Sequence, residues 1–93
     1  MSFEIRILPQ AEKEIRKLPN NIADDILLAI ENLSQNPKPV GCIQMNDYST
    51  QRLKVRIFHR IKVKRVYRII YHINNNILTV SVVKVGHRNK VYK

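Results

Sequence analysis

The chain has 93 residues, enough for a single domain spanning 1–93, and carries 17 Lys and Arg against 7 Asp and Glu, a net charge of +10. Its one cysteine, Cys42, excludes an internal disulfide, lacks metal-like spacing to the three histidines, and reads as a small apolar residue. No apolar run approaches the ~18 residues that span a bilayer, and Ser2 to Leu8 is too short and too polar for a signal segment, so a cytoplasmic protein with no membrane partner is expected.

Ser2 to Leu8 predicts a short strand, with Phe3, Ile5 and Ile7 alternating against Glu4 and Arg6. Pro9 opens a helix from a permitted first-turn position, and Pro19 ends it. Ala11, Ile15 and Leu18 form its apolar stripe, and Glu12 with Arg16 is a favourable pair one turn apart. Glu14 and the other charged residues occupy the remaining faces. Asn20 or Asn21 can cap a second helix, whose buried face is Ile22, Ile26, Ala29, Ile30 and Leu33. The tight Pro-Asn-Asn link makes the two helices an antiparallel hairpin. Lys38 to Thr50 has no regular period and reads as a loop.

From Gln51 the period changes to two. Leu53, Val55, Ile57, His59, Ile61 and Val63 share one strand face, and Lys54, Arg56, Phe58, Arg60, Lys62 and Lys64 the other. A strand this long suggests a bend near Phe58 and His59. A turn at Lys64 and Arg65 leads to a strand over Val66 to Ile73, in which Tyr67 and Tyr71 share the core face with Ile69 and Ile73. His59 reads as a satisfied packing residue and His72 as a surface one. Asn74-Asn75-Asn76 is a hairpin turn, because Asn tolerates positive φ. Ile77 to Val85 is the most apolar strand and should be central, with Gly86 ending it and His87 to Lys93 forming a basic tail. The predicted class is α+β: an N-terminal strand and an antiparallel two-helix hairpin packed on a curved antiparallel sheet of about four strands.

The charge is segregated. All seven acids lie in the first 47 residues, whereas Tyr48 to Lys93 holds twelve Lys or Arg and no acid. A solubilising surface does not require stripping half a chain of carboxylates, so the second half is expected to meet a polyanion. There is no phosphate-binding glycine loop, no paired-cysteine motif and no zinc-hydrolase motif, and no cofactor is implied. Metal-dependent phosphodiester cleavage usually needs a carboxylate cluster. The only acid near the basic half is Asp47. RNA cleavage without metal needs less, because RNA carries its own nucleophile in the 2′-OH. The protein must align that oxygen, neutralise charge on the phosphorane and move protons. Arg60, Lys62, Arg68, His87, Arg88 and Tyr92 are residue types suited to those tasks. His87 reads equally as a general base or as a positive contact.

The order Arg60-Ile61-Lys62-Val63, Val66-Tyr67-Arg68-Ile69-Ile70-Tyr71, Val82-Val83-Lys84-Val85-Gly86-His87-Arg88 and Val91-Tyr92 resembles the RelE/ParE toxin superfamily. The resemblance covers about residues 58 to 93 and implies a RelE-like fold. It implies a toxin of a type II toxin–antitoxin system that cleaves mRNA on the ribosome. Carried onto this chain, it implies Arg68 as stabiliser of the scissile phosphate and Lys62 as activator of the 2′-OH. It implies Arg88 as support for phosphate or leaving-group charge, and Tyr92 as a base-orienting or proton-transfer group. Arg60 falls on the other basic position of the strand pair, where well-studied nucleases often have Lys, and Arg can serve only electrostatically. Lys54, Arg56, Arg60, Lys64, Arg65 and Lys90 are expected to contact RNA. The implied partners are a RelB-like antitoxin, the ribosome and mRNA, and operator DNA only together with the antitoxin. The rival readings are a ParE-type inhibitor of DNA gyrase and a plain RNA-binding module.

Overall fold

The computed structural model describes residues 2–91. The elements are β1 (Glu4–Ile7), α1 (Pro9–Arg16), α2 (Asn20–Leu33), β2 (Ile43–Met45), β3 (Phe58–Val63), β4 (Tyr67–Asn74) and β5 (Thr79–His87). They form one five-stranded sheet in the order β1-β5-β4-β3-β2. β3, β4 and β5 are the expected antiparallel meander. Two features differ from the sequence reading. β1 pairs parallel with β5, Glu4 opposite Thr79 and Ile7 opposite Val82, which makes the sheet mixed. The predicted loop contains β2, three residues paired antiparallel to the start of β3.

The helical hairpin covers one face. Ala11, Ile15, Ile26, Ile30 and Leu33 are buried against Ile61, Val63, Ile69, Tyr71, Ile73, Val80, Val82 and Val85. These are the stripes expected from the helical period, and their burial is the main drive for the two helices to dock. Neither helix is capped by a side chain. Leu8 and Pro19 hold the N-cap positions, and their carbonyls accept from Glu12 and Ala23 N–H at 3.0 and 2.9 Å. Pro19 therefore displaces Asn20 and Asn21 as the cap; extended φ and ψ suit proline there.

The opposite face carries a smaller core of Phe58, Ile70, Val83 and Val91, covered by Leu8, Met45, Tyr48, Leu53 and Val55. Here the long strand read from Gln51 is corrected. Residues 51–57 are irregular, and β3 begins at Phe58. Leu53 and Val55 pack with Phe58, on the side opposite Ile61 and Val63, and Ile57 is exposed. Phe58, placed by alternation on the basic face, is fully buried. An extended coil laid over a sheet shows the same period of two as a strand within it. β5 is interior, between β1 and β4, but β4 and not β5 is the central strand of the five; β5 runs through Gly86 to His87, and the turn before it extends over Ile77 and Leu78. Asn74 Oδ1 starts that turn by accepting from Asn76 and Ile77 N–H at 3.0 and 3.3 Å. Among the described residues, no helix is long and apolar enough to cross a membrane.

Candidate active site

Register across the meander builds the site. Residues directly opposite in paired strands share a face and lie about 5 Å apart at Cα. Lys62 pairs with Arg68, and Arg68 with Gly86, giving one row across β3, β4 and β5. The next row is Arg60, Ile70 and Lys84. Both rows lie on the face away from the helices, so Arg60, Lys62 and Arg68 come together as the sequence predicts. Gly86 leaves the space beside Arg68 free of a side chain, apart from Val91, whose Cβ lies 4.0 Å from where a Gly86 Cβ would sit.

Arg68 is 8% exposed and firmly held. Its Nη1 donates to the carbonyls of Arg65 at 2.6 Å and Tyr67 at 3.2 Å. Its Nε is buried with no hydrogen-bond partner. A buried N–H without an acceptor costs about 1–3 kcal/mol, so this arrangement is held at some cost to the fold. The Nε–Nη2 edge is also the side that grips a phosphate with two parallel hydrogen bonds. Lys62 beside it is exposed.

The β3–β4 turn frames this site. Lys64 and Arg65 have φ of +51° and +68°, in the left-handed region that Gly or Asn would occupy more cheaply. Val63 pairs with Tyr67, which fixes a three-residue connection. Arg68 braces it through the Arg65 carbonyl, and Val66 O accepts from Arg88 N–H at 2.6 Å. That last bond brings exposed Arg88 to the same end of the sheet as Arg68. Lys64 Nζ is 2.9 Å from Asp25 of α2 in an exposed ion pair.

Other predicted residues are dispersed. Lys54 and Arg56 are exposed on the irregular segment over the small core, not on β3. Lys90 is exposed in the turn after β5, where Lys90 and Val91 N–H both bond to His87 O. His87 pairs with Tyr67, whose side chain joins the helix-side core, so His87 points away from Arg68. Tyr92 lies outside the described residues. His59 is buried and stacked on Tyr71 at 5.9 Å, but its Nδ1 has no partner, so it is packed without being satisfied. Burial, then the nearby charges of Lys38 and His72, hold its pKa below the ordinary histidine value. Burial likewise pushes the Tyr71 hydroxyl well above its usual range, and that hydroxyl donates to Pro37 O at 2.7 Å. His72 is half-buried, with Nδ1 2.9 Å from Ile57 O. Among the described residues, no three His, Cys, Asp or Glu side chains gather in metal-binding geometry.

One residue of consequence was missed. Glu14 of α1 accepts from Val85 N–H and from Lys84 Nζ, both at 3.0 Å, and from Gln10 Nε2 at 3.3 Å. β1 stops pairing at Ile7, and the Glu14 carboxylate takes over the edge of β5 where the strand leaves off. Read on its helix alone, Glu14 looks like one more solvated acid; only the unpredicted β1–β5 pairing reveals its task.

Residues 5–92 match the family described as the ParE toxin of type II toxin–antitoxin systems. A putative toxin RelE4 of Methanocaldococcus jannaschii is 26% identical over 94 residues, covering 98% of this chain and 92% of that protein. The fold matches the RelBE2 toxin–antitoxin complex of Mycobacterium tuberculosis at a TM-score of 0.71 and 25% identity, over 95% of this chain and 100% of the other. It also matches the archaeal RelE–RelB complex of Pyrococcus horikoshii at a TM-score of 0.77 and 20% identity, over 98% and 100%. A small basic α+β domain with a helical hairpin on a five-stranded mixed sheet defines the class, and the chain belongs to the RelE/ParE superfamily as a toxin of a type II toxin–antitoxin system.

Proposed function

We propose that this toxin is an endoribonuclease that cleaves mRNA in the ribosomal A site without a metal ion. The observation that carries the reading is Arg68, with Nη1 fixed on two backbone carbonyls and Nε buried without an acceptor, beside Lys62. The 2′-oxygen attacks the adjacent phosphorus, the bond from phosphorus to the 5′-oxygen breaks, and a 2′,3′-cyclic phosphate and a 5′-OH result. Arg68 holds the phosphate in line and neutralises the charge that builds on its equatorial oxygens. Lys62, paired with Arg68 across the hairpin, is the candidate for activating the 2′-OH. Arg88 steadies the leaving 5′-oxygen, which must gain a proton, and Tyr92 is the candidate donor. His87 points off this face, so we assign it no part in the chemistry. Arg60, Lys54, Arg56, Arg65 and Lys90 supply general attraction to mRNA and ribosomal RNA, and Lys64 joins them when it leaves Asp25.

The antitoxin we infer is a RelB-like chain that covers the exposed apolar residues Leu27, Leu28, Val40 and Ile43 and masks the basic face. Operator DNA would be bound only by the pair. A second reading rests on the ParE description of the matched family: inhibition of DNA gyrase by a toxin that cuts nothing.

One experiment divides the readings. Purified protein is incubated with programmed ribosomes, in parallel with a gyrase supercoiling assay, and mRNA ends are mapped. The nuclease reading predicts A-site cuts that persist when EDTA is added to preassembled, intact complexes, and no effect on gyrase. Inhibited gyrase with uncut mRNA would establish the second reading. Ribosome binding that falls by orders of magnitude between ~50 and ~200 mM salt, with neither activity, would leave a plain RNA-binding module.

A further inference from the structure

On the opposite side of the sheet end from Arg68 lies an open groove of about 580 Å³ between α1 and the end of β5. Lys17, Tyr67, His87, Asn89 and Lys90 line it. The size suits a nucleotide-sized ligand. Tyr67 and His87 meet edge to face, centroids 5.8 Å apart at 79°, and both are only half-buried, so ring surface remains open to the groove. Asn89 N–H donates to His87 Nδ1 at 3.1 Å, which places the proton of the neutral imidazole on Nε2. That nitrogen is left as a donor. Lys17 and Lys90 are exposed cations on the groove's two rims. Glu14, the one acid in the lining, is taken up by Lys84 and Val85 and does not present a free charge.

We propose that this groove is a second RNA subsite, in which a nucleobase stacks on the Tyr67–His87 pair and the flanking phosphates meet Lys17 and Lys90. Aromatic faces with adjacent cations are the general means of holding single-stranded RNA, because every base has a stackable face. Tyr67 and Arg68 are consecutive on β4, so their side chains leave opposite faces of one strand. An RNA strand held at Arg68 reaches the groove by passing round the sheet end, where Arg65 and Arg88 stand exposed. The inference rests on the reading of this protein as an RNA-cutting toxin, and it makes His87 a substrate-binding residue rather than a catalytic one.

The test uses the full chain and a fluorescently labelled single-stranded RNA hexamer at low salt. Amide shifts are mapped by NMR, and affinity is measured by anisotropy for the parent, His87→Leu and Lys17→Glu. Lys17 is exposed on α1's end, so its reversal does not endanger the fold. The subsite predicts shifts at Tyr67, His87 and Asn89, and a loss of roughly tenfold in affinity for His87→Leu, the ordinary worth of one stacked base. Lys17→Glu should bind more weakly than the parent, by a margin that widens as salt is lowered. Shifts confined to Lys62, Arg68 and Arg88, with unchanged affinity in both variants, would overturn the subsite and leave the nuclease reading intact. Groove binding by a protein that leaves ribosome-bound mRNA uncut would uphold the subsite and overturn the nuclease reading. A parent protein that does not bind the hexamer overturns the subsite.

Discussion

Replacing Glu14 by Ala removes the acceptor that ends the β5 edge. Three consequences follow from its contacts. Val85 N–H, at 1% residue exposure, loses its partner; Lys84 loses its counter-charge; and Gln10 loses an acceptor. An unpaired buried N–H costs about 1–3 kcal/mol. The Lys84–Glu14 pair, with side chains 20% and 18% exposed, sits between the surface and buried limits and adds roughly 1 kcal/mol. The sum is about 2–4 kcal/mol, a large share of the ~5–14 kcal/mol expected for a domain of this length. It corresponds to a fall in Tm of roughly 10–25 °C. Glu14→Gln keeps an acceptor for Val85 and loses only the charge, so it should melt between Ala and the parent. Thermal unfolding followed by circular dichroism at neutral pH measures all three. If Glu14→Ala melted within 2–3 °C of the parent, as expected of a solvated acid, the role of Glu14 in ending the sheet edge would be wrong.

Lys64→Asn with Arg65→Gly should stabilise the protein by about 1–2 kcal/mol in chemical denaturation, since both positions hold positive φ, while weakening ribosome binding; a destabilised double variant would contradict the strain assigned to this turn. His59 is held below its ordinary pKa by burial and by Lys38 and His72. The unfolded chain therefore takes up a proton near pH 6.5 that the folded chain resists. The stability this group contributes is full above that pH and is lost on acidification towards the depressed folded value, at a limiting slope of about 1.4 kcal/mol per pH unit. Denaturant midpoints between pH 7 and 5 should show a smaller loss for His59→Phe, which keeps a ring against Tyr71; equal slopes would show that His59 does not titrate on unfolding.

Most of the fold was legible because it is written in local periods. The 3.6-residue stripes of α1 and α2, the alternation in β4 and the Asn turn before β5 each need only neighbouring residues to be read. What was not legible depends on partners far along the chain. The parallel β1–β5 pairing leaves no mark on Glu4 to Ile7 beyond alternation that an antiparallel strand would share. The three residues of β2 are too few to establish a period. Leu53 and Val55 alternate as a strand does, and nothing local tells that they fold over Phe58 instead of extending it. The same division holds at the site. Arg68, Lys62 and Arg60 were found together because one hairpin aligns them. His87 was grouped with them by chain order, and the strand register turns it to the other face.

Whether Arg68 grips the scissile phosphate is tested by single-turnover cleavage of ribosome-bound mRNA. The parent, Arg68→Ala, Arg68→Lys and a control at exposed Lys13 are compared at saturating protein, with circular dichroism to establish that each is folded. Because Arg68 also braces the Arg65 carbonyl, some stability is lost in Arg68→Ala, and the assay is run well below its Tm. Removing one preorganised donor costs ~3 kcal/mol, or about a hundredfold in rate. Folded Arg68→Ala should show that loss, Arg68→Lys should recover part of it because an ammonium lacks the planar fork, and Lys13→Ala should cut at a near-parental rate. A folded Arg68→Ala that cuts as fast as the parent would contradict the grip of Arg68 on the phosphate.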